Sequence, residues 1–374
     1  MLTRQLIDRL SRALDGGAPV IIGQEARADV IPALPPGTAL TLPTSGSTGH
    51  PKLVALSAAA IRASAQASAE RLGGIGHWLL ALPPTHIAGL NVIARALLAG
   101  APPTVMAPGP FSTKSFAAAV AALPPGPSYV SLVPTQLRRL VEAGPEGTDQ
   151  LRSFAAVLVG GAALDPALRR TAEASGARLV VTYGAAETGG GCVYDGVPLS
   201  GVDLALEPGG RIAIAGPTLA LGYVDSDQNG FAERSGKLWF TTSDLGRWAP
   251  DGRLEVIGRA DNAITSGGQT IAPEPVEAII AALPGVAQVL VVGLPSEFWG
   301  EAVTALVVPD ADHSPSLPQL RQAVKQRLGP PSAPQGLGLV EDLPWLAPGK
   351  PDRLAARELA ASLAASGRLD SAIR

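Results

Sequence analysis

The chain has 374 residues, 46 % of them hydrophobic, with a formal net charge of −3 and a single cysteine, Cys192. That length accommodates two domains, or one large and one small, with a sizeable core. The absence of a basic block argues against nucleic acid as a main partner, and one cysteine excludes an internal disulfide or a cysteine metal cluster and fits a reducing cytoplasm.

Aromatic residues make up only 4 %, so the core is expected from Ala, Leu, Val and Ile. Residues 1–14, MLTRQLIDRLSRAL, read as an amphipathic helix rather than a signal peptide. No uncharged apolar run is long enough to suggest a membrane span. From about residue 39 to 184, short apolar runs alternate with helical patterns. ALTLP, LVALS, HWLLAL, PTVMA, SYVSLV, AAVLVGG and RLVVTYG are expected strands, and 57–72, 87–99, 112–122, 134–143 and 165–175 expected helices. This alternation implies a largely parallel α/β sheet, which binds ligands beyond the carboxyl ends of its strands. LVGGAAL (158–164) and VTYGAAETGGG (181–191) are strand-then-glycine junctions of that kind.

From 199 to 258 short runs joined by Gly and Asp-Gly turns suggest a β-rich subdomain. An α+β pattern follows: helix 274–282, strands AQVLVVGL and AVTALVVP, helix 316–328, strand LGLVEDL and a terminal helix from about 352. The expected fold is therefore α/β. A large N-terminal domain, 1–258, carries mixed and parallel sheets and the β-rich subdomain; a small, mobile α+β domain follows at 259–374.

The segment TLPTSGSTGHPKLVALS (41–57) sets hydroxyls, glycines and Lys52 between two apolar runs. Pro51 before Lys52 and Leu53 after it break the Walker pattern. What remains is a turn whose hydroxyls and N–H groups can cradle phosphate, or else a plain surface turn. Only five lysines occur, and two of them, Lys52 and Lys350, lie in Gly/Pro-rich loops. That is where an ammonium point charge, rather than any cation, would be wanted.

TSGSTGHPK resembles the phosphate-binding signature of the adenylate-forming superfamily: acyl- and aryl-CoA ligases, luciferases and peptide-synthetase adenylation domains. YGAAET (183–188), TTSDLGRW (241–248), GRADNAITSGGQTIAPEPVE (258–277) and APGKPDR (347–353) resemble its later motifs, in its order. The resemblance implies that ATP and Mg²⁺ activate a carboxylic acid as an acyl-adenylate, and that a thiol, usually of coenzyme A, displaces AMP. It implies that Thr44, Ser45, Gly46, Ser47, Thr48, Gly49 and Lys52 bind the phosphates and that Glu187 holds Mg²⁺. Lys350 would reach the carboxylate and α-phosphate, and Asp244 with Arg259 the ribose. Gly160, Gly161, Ala162 and Gly184 would border the adenine, with Tyr183 stacked on it. Asp261 would be a hinge about which the small domain turns, withdrawing Lys350 and bringing Gly267 and Gly268 to a coenzyme A tunnel. Taken singly, Asp244 could cap a turn, Glu187 could be a solvated loop acid and Lys350 a plain exposed lysine.

Some positions depart from the family. Ala186 stands where Thr or Ser is usual, with Thr188 or a water expected to compensate; Leu53, Asn262 and Thr265 also differ. The family carries a much longer segment before its phosphate loop, so a reduced N-terminal subdomain is expected, its open face covered in a homodimer.

LPPTHIAGLNVIARALLAG (82–100) places His86 at a helix start, where the family gates its acyl pocket; a local helix-end histidine is the alternative. HIAGL, the short N-terminus and GGGCVYDGVPLSGV (189–202) resemble the short actinobacterial 2-succinylbenzoate–CoA ligases of menaquinone synthesis. Such an acid needs a partner for its second carboxylate. Gly189 and Gly190 would admit the ring, Arg95 would supply the cation, and Thr182 or Ser200 would help; a solvated helix-face Arg95 is the alternative. A ligase for another aryl or short acyl acid, a carrier-loading adenylation domain and a non-catalytic ATP-binding homologue remain open.

Overall fold

The computed structural model describes residues 3–23, 34–44, 52–224, 230–310, 313–346 and 350–372. The chain divides into two compact units, one of residues 1–205, 213–242 and 250–253, the other of 206–212, 243–249 and 254–374. The strand Lys237–Trp248 contributes to both, changing unit after Thr242.

In the first unit a seven-stranded sheet runs in the order Val197–Pro198, Gly190–Tyr194, Leu179–Ala185, Ala156–Val159, Ser128–Leu132, His77–Leu80, Thr104–Val105. The strands from Leu179–Ala185 to Thr104–Val105 are parallel, as the alternating pattern implies. The remaining two return antiparallel. Helices fall close to their expected places: Ala58–Leu72, Ile87–Leu98, Thr113–Ala121, Pro134–Glu142 and Pro166–Ala174. Their ends have local causes. The Ser57 hydroxyl accepts from the Ala60 N–H at 3.0 Å, and Asp165 accepts from Ala167, each satisfying an orphan donor of the first turn. Gly73, at φ 95°, closes the Ala58–Leu72 helix in the left-handed region. Phe116, Leu137, Leu140, Leu151 and Phe154 pack on Val130, Val157 and Val159, seating helices on one sheet face.

Two features differ from expectation. ALTLP and LVALS are not part of the parallel sheet. As strands Thr38–Thr44 and Lys52–Ser57 they pair antiparallel in a separate four-stranded sheet with Val20–Ile21 and Gly222–Tyr223. Only seven residues separate them, too few for the crossover that parallel strands need. The helix Pro145–Arg152 was not expected; it opens on Gly144-Pro145 and buries only Gly147 and Leu151, so it lacks a visible apolar stripe.

In the second unit, Val286–Ser296 and Gly300–Pro309 form a long antiparallel hairpin. Helices Pro273–Ala281 and Leu317–Leu328 cover one face with Val276, Ile280, Leu320 and Val324, against Val291 and Val303. Helix Arg353–Ala365 covers the other, with Ala356 and Ala360 against Leu290, Val292 and Leu306. Successive strand side chains point to opposite faces, so a strand covered on both sides reads as an unbroken apolar run. Each such Leu or Val taken fully out of water stabilises the fold by about 1.5–3 kcal/mol. Strand Lys350–Pro351 pairs antiparallel with Trp345–Leu346, Lys350 opposite Leu346; residues 347–349 and the Lys350 side chain lie outside the described set. Among the described residues no helix is long and apolar enough to cross a membrane.

Candidate active site

Antiparallel pairing sets Thr44 opposite Lys52, with the Thr44 hydroxyl donating to the Lys52 carbonyl at 3.4 Å. The strand pair thereby fixes both ends of the hydroxyl-rich loop. Ser45, Gly46, Ser47, Thr48 and Gly49 themselves lie outside the described residues. The Lys52 ammonium stands 4.8 Å from the centre of the Tyr223 ring. The Tyr223 hydroxyl donates to Glu187 Oε1 at 2.8 Å. Burial first, and then the Glu187 charge, push the Tyr223 phenol well above its usual range, which keeps it a donor.

Glu187 sits in a 3₁₀ turn, Ala186–Thr188, directly after strand Leu179–Ala185, and is 9 % exposed. It is therefore not a solvated loop acid. Thr188 is fully buried and its hydroxyl is spent on backbone: it accepts from Ala185 N–H at 2.9 Å and lies 2.9 Å from Gly190 O and 3.0 Å from Ala185 O. One hydroxyl proton cannot also reach a ligand, so Thr188 does not compensate for the hydroxyl missing at Ala186.

Gly160 follows the neighbouring parallel strand, Ala156–Val159. A Cβ there would lie 2.3 Å from Thr182 Oγ1, so only glycine permits this approach. Gly161 and Ala162 are exposed beside it. The Tyr183 hydroxyl donates to Thr242 Oγ1 at 3.4 Å. The structure thus gathers Gly160, Thr182, Tyr183, Gly184 and Glu187 around the carboxyl ends of two adjacent parallel strands.

His86 caps helix Ile87–Leu98 without a side-chain cap bond; it is exposed, and its imidazole makes no hydrogen bond among the described residues. One turn on, Asn91 Nδ2 donates to Gly189 O at 2.8 Å, tying the helix to the glycine run. A Cβ at Gly190 would lie 2.1 Å from that same Nδ2. Arg95 is not the solvated helix-face arginine weighed as an alternative: it is 7 % exposed. Its guanidinium lies 5.1 Å from the Trp78 ring centre, and Nη2 donates to the Tyr194 hydroxyl at 3.0 Å, which Ser68 also meets at 2.8 Å. Arg95 Nε has no partner, and among the described residues no carboxylate pairs with this cation. Arg95 lines a cavity of about 330 Å³ with Trp78, Arg62, Gln66, Ile75 and Leu98, a lining that includes neither His86, Thr182, Gly189, Gly190 nor Ser200. Ser200 is exposed, and neither it nor Thr182 bonds to Arg95.

In the second unit Asp244 faces Arg259 across paired strands, with Arg259 Nη1 3.6 Å from Asp244 Oδ1. Arg259 also grips Asp261. Gly267 and Gly268 form the exposed tip of the hairpin between Ile264–Ser266 and Gln269–Ile271, at φ 57° and 76° as a type I′ turn requires. Near Lys350, Arg353 binds Glu277 at 2.7 and 3.0 Å, Val291 O at 2.9 Å and Glu274 at 3.3 Å. Burial pushes the Glu274 carboxyl up despite Arg353. Asn91, Tyr194, Tyr223 and Glu277 were not singled out from the sequence; each acts through a partner distant in the chain.

No group of three or more His, Cys, Asp or Glu suited to a metal occurs among the described residues. Mg²⁺ commonly takes one or two carboxylates together with substrate phosphates rather than an all-protein cage. The single buried Glu187 carboxylate suits an ion that arrives with a nucleotide.

Residues 19–224 match the AMP-binding enzyme model, more than half of the chain, and residues 275–350 match the AMP-binding enzyme C-terminal domain. The chain belongs to the AMP-binding enzyme family. The adenylate-forming resemblance and the α/β fold read from the sequence are borne out. A probable 2-succinylbenzoate–CoA ligase of Mycobacterium tuberculosis is 42 % identical over 365 residues, 94 % of each chain. The 2-succinylbenzoate–CoA ligase of Escherichia coli is 34 % identical over 277 residues, 71 % of this chain and 58 % of that one. Among solved structures, o-succinylbenzoate CoA synthetase (MenE) from Bacillus subtilis, in complex with the acyl-adenylate intermediate OSB-AMP, superposes with a TM-score of 0.74 at 28 % identity. That likeness covers 86 % of this chain and 69 % of the other. ATP-bound MatB from Rhodopseudomonas palustris gives 0.74 at 26 % identity, over 87 % of this chain and 69 % of its own.

Proposed function

We propose that this AMP-binding enzyme is an ATP-dependent acid–CoA ligase that converts 2-succinylbenzoate to 2-succinylbenzoyl-CoA through an acyl-adenylate, in menaquinone synthesis. The relatives' shared activity supports the chemistry. The observation that carries the choice of acid is the 42 % identity, over 94 % of both chains, to a probable 2-succinylbenzoate–CoA ligase.

In this reading the substrate carboxylate attacks the α-phosphorus of ATP and pyrophosphate leaves; the thiol of CoA then attacks the acyl carbon and AMP leaves. Two anions meet in the first step, so positive charge must be in place beforehand. Lys52 and the loop after Thr44 hold the outer phosphates, and Lys350 reaches the reacting carboxylate and α-phosphate. Mg²⁺, when bound, neutralises charge between phosphate oxygens, and Glu187 is the residue that would hold it. Tyr183 and the Gly160–Gly161 turn take the adenine, Asp244 and Arg259 the ribose. His86 stands at the acyl entrance. Residues 259–374 act as a lid turning at Asp261, which exchanges Lys350 for Gly267 and Gly268 at the CoA thiol. A cytoplasmic homodimer belongs to the same reading, since ATP and CoA are cytoplasmic substrates.

The test is mass-spectrometric detection of acyl-CoA formed with ATP and Mg²⁺ from a panel of 2-succinylbenzoate, benzoate and short fatty acids. Product from the dicarboxylate alone is expected. Turnover of a monoacid instead refutes the choice of acid.

A further inference from the structure

Lys52 and Glu187 come from different elements, and one side chain touches both. The Tyr223 hydroxyl holds Glu187 Oε1 at 2.8 Å, and the face of its ring meets the Lys52 ammonium at 4.8 Å. The ring is itself held: Phe231 packs edge-on against it at 5.6 Å, and Phe231 rests on Phe240 at 4.7 Å. The backbone around Tyr223 is stitched to both neighbours. Leu221 N–H donates to Ala55 O at 2.8 Å and Val224 N–H to Leu53 O at 2.9 Å, on the strand that starts at Lys52. Ala220 N–H donates to the carbonyl of Glu187 itself at 2.9 Å.

Lys52 and Glu187 form no ion pair with each other, although both flank the same ring. A direct pair would neutralise the two charges that the phosphates and Mg²⁺ require. An aromatic ring between them attracts the cation on its face and binds the carboxylate through its hydroxyl at the edge, so each is held without quenching the other.

We propose that Tyr223 is a positioning residue of the nucleotide site, fixing Glu187 so that its second carboxylate oxygen is presented to the Mg²⁺ of MgATP while keeping Lys52 apart from Glu187 and aimed at the phosphates. This rests on the ligase reading given above. Partners one step behind a metal ligand typically change metal affinity 10–100-fold when removed.

The experiment is calorimetric titration of the full chain with ATP over a range of Mg²⁺ concentrations, with no acid present so that no reaction occurs. Tyr223→Phe keeps the ring and loses the hydroxyl; Tyr223→Leu loses both. For Tyr223→Phe the Mg²⁺ concentration giving half-maximal ATP binding is expected to rise about tenfold, with ATP affinity at saturating Mg²⁺ close to that of the unaltered chain. Tyr223→Leu should in addition weaken ATP at saturating Mg²⁺. A purely structural role would lower the thermal midpoint and leave the Mg²⁺ midpoint where it was. An unchanged Mg²⁺ midpoint in folded Tyr223→Phe therefore overturns the proposal alone. Absence of MgATP binding by the unaltered chain overturns the ligase reading, and this proposal with it.

Discussion

Arg259 holds Asp261 with both sides of its guanidinium, Nε to Oδ1 at 2.8 Å and Nη2 to Oδ2 at 2.6 Å. The residue proposed to assist at the ribose and the residue proposed as the hinge are thus one ionic unit, which Asp244 joins at 3.6 Å. Burial alone would raise the Asp261 carboxyl, but the hydrogen bonds and charge of Arg259 outweigh it and hold the group below its usual range. An acid depressed in the folded state stabilises fully above its unfolded value, near pH 4, and the contribution disappears as pH falls through the lower folded value. Urea midpoints compared between the unaltered chain and Asp261→Asn should therefore differ most above about pH 5 and converge toward pH 2. A difference that stays constant across that range would show that the pair does not titrate as described.

Lys350 lies on a short strand three residues before Arg353. Replacing Lys350 by Ala is expected to abolish formation of the adenylate, followed by pyrophosphate release, while transfer from a supplied acyl-adenylate to CoA continues. Equal loss of both steps would contradict a lid that withdraws this lysine between them.

Arg353 is 18 % exposed and sits between Glu277, at 15 %, and Glu274, at 31 %. Removing one member of a mostly buried ionic cluster leaves the other charges uncompensated, typically at a cost of about 3–5 kcal/mol. Arg353→Ala should lower the unfolding free energy of the second unit by roughly this amount, whereas Arg357→Ala, whose pair with Glu301 is half exposed, should cost less than about 1 kcal/mol. Denaturant unfolding of the two variants settles the ranking, and similar losses would show that burial is not the deciding factor.

Cys192 is 1 % exposed, and burial pushes its thiol up to about 12. A thiol that is neither accessible nor ionised is inert. A thiol-reactive chromogen should label the native chain negligibly and the urea-unfolded chain with one equivalent; rapid native labelling would contradict the packing around Cys192.

Much of this architecture was legible in the sequence because the local signals agreed with the fold. Helices such as Ala58–Leu72 and Leu317–Leu328 carry their own caps, and the twice-covered strand around Val291 carries its unbroken apolar run. The direction of pairing between Thr38–Thr44 and Lys52–Ser57 was missed although it was legible, since seven intervening residues are too few for the crossover that parallel strands need. In the site, motif order pointed to Glu187, Tyr183 and the Gly160 turn, all beside strand ends. What could not be read was which partners complete them. Tyr223 lies 36 residues from Glu187, and Tyr194 lies 99 from Arg95. Thr188 looked available because sequence shows that a hydroxyl exists, not that backbone has already claimed it.

The contact between Asn91 and Gly190 bears on redesign of the pocket proposed for the acid. Position 190 is a tempting place to narrow or widen specificity, since glycine leaves every larger residue as an option. Yet the first atom of any side chain there would collide with the Asn91 amide, and that amide is already anchoring Gly189. A library varied at 190 alone should return glycine almost exclusively. Nor would a smaller residue at 91 open the position, because Gly190 sits at φ 92°, where any L side chain is strained whatever the space, so variation is better aimed at neighbours whose backbone tolerates a side chain.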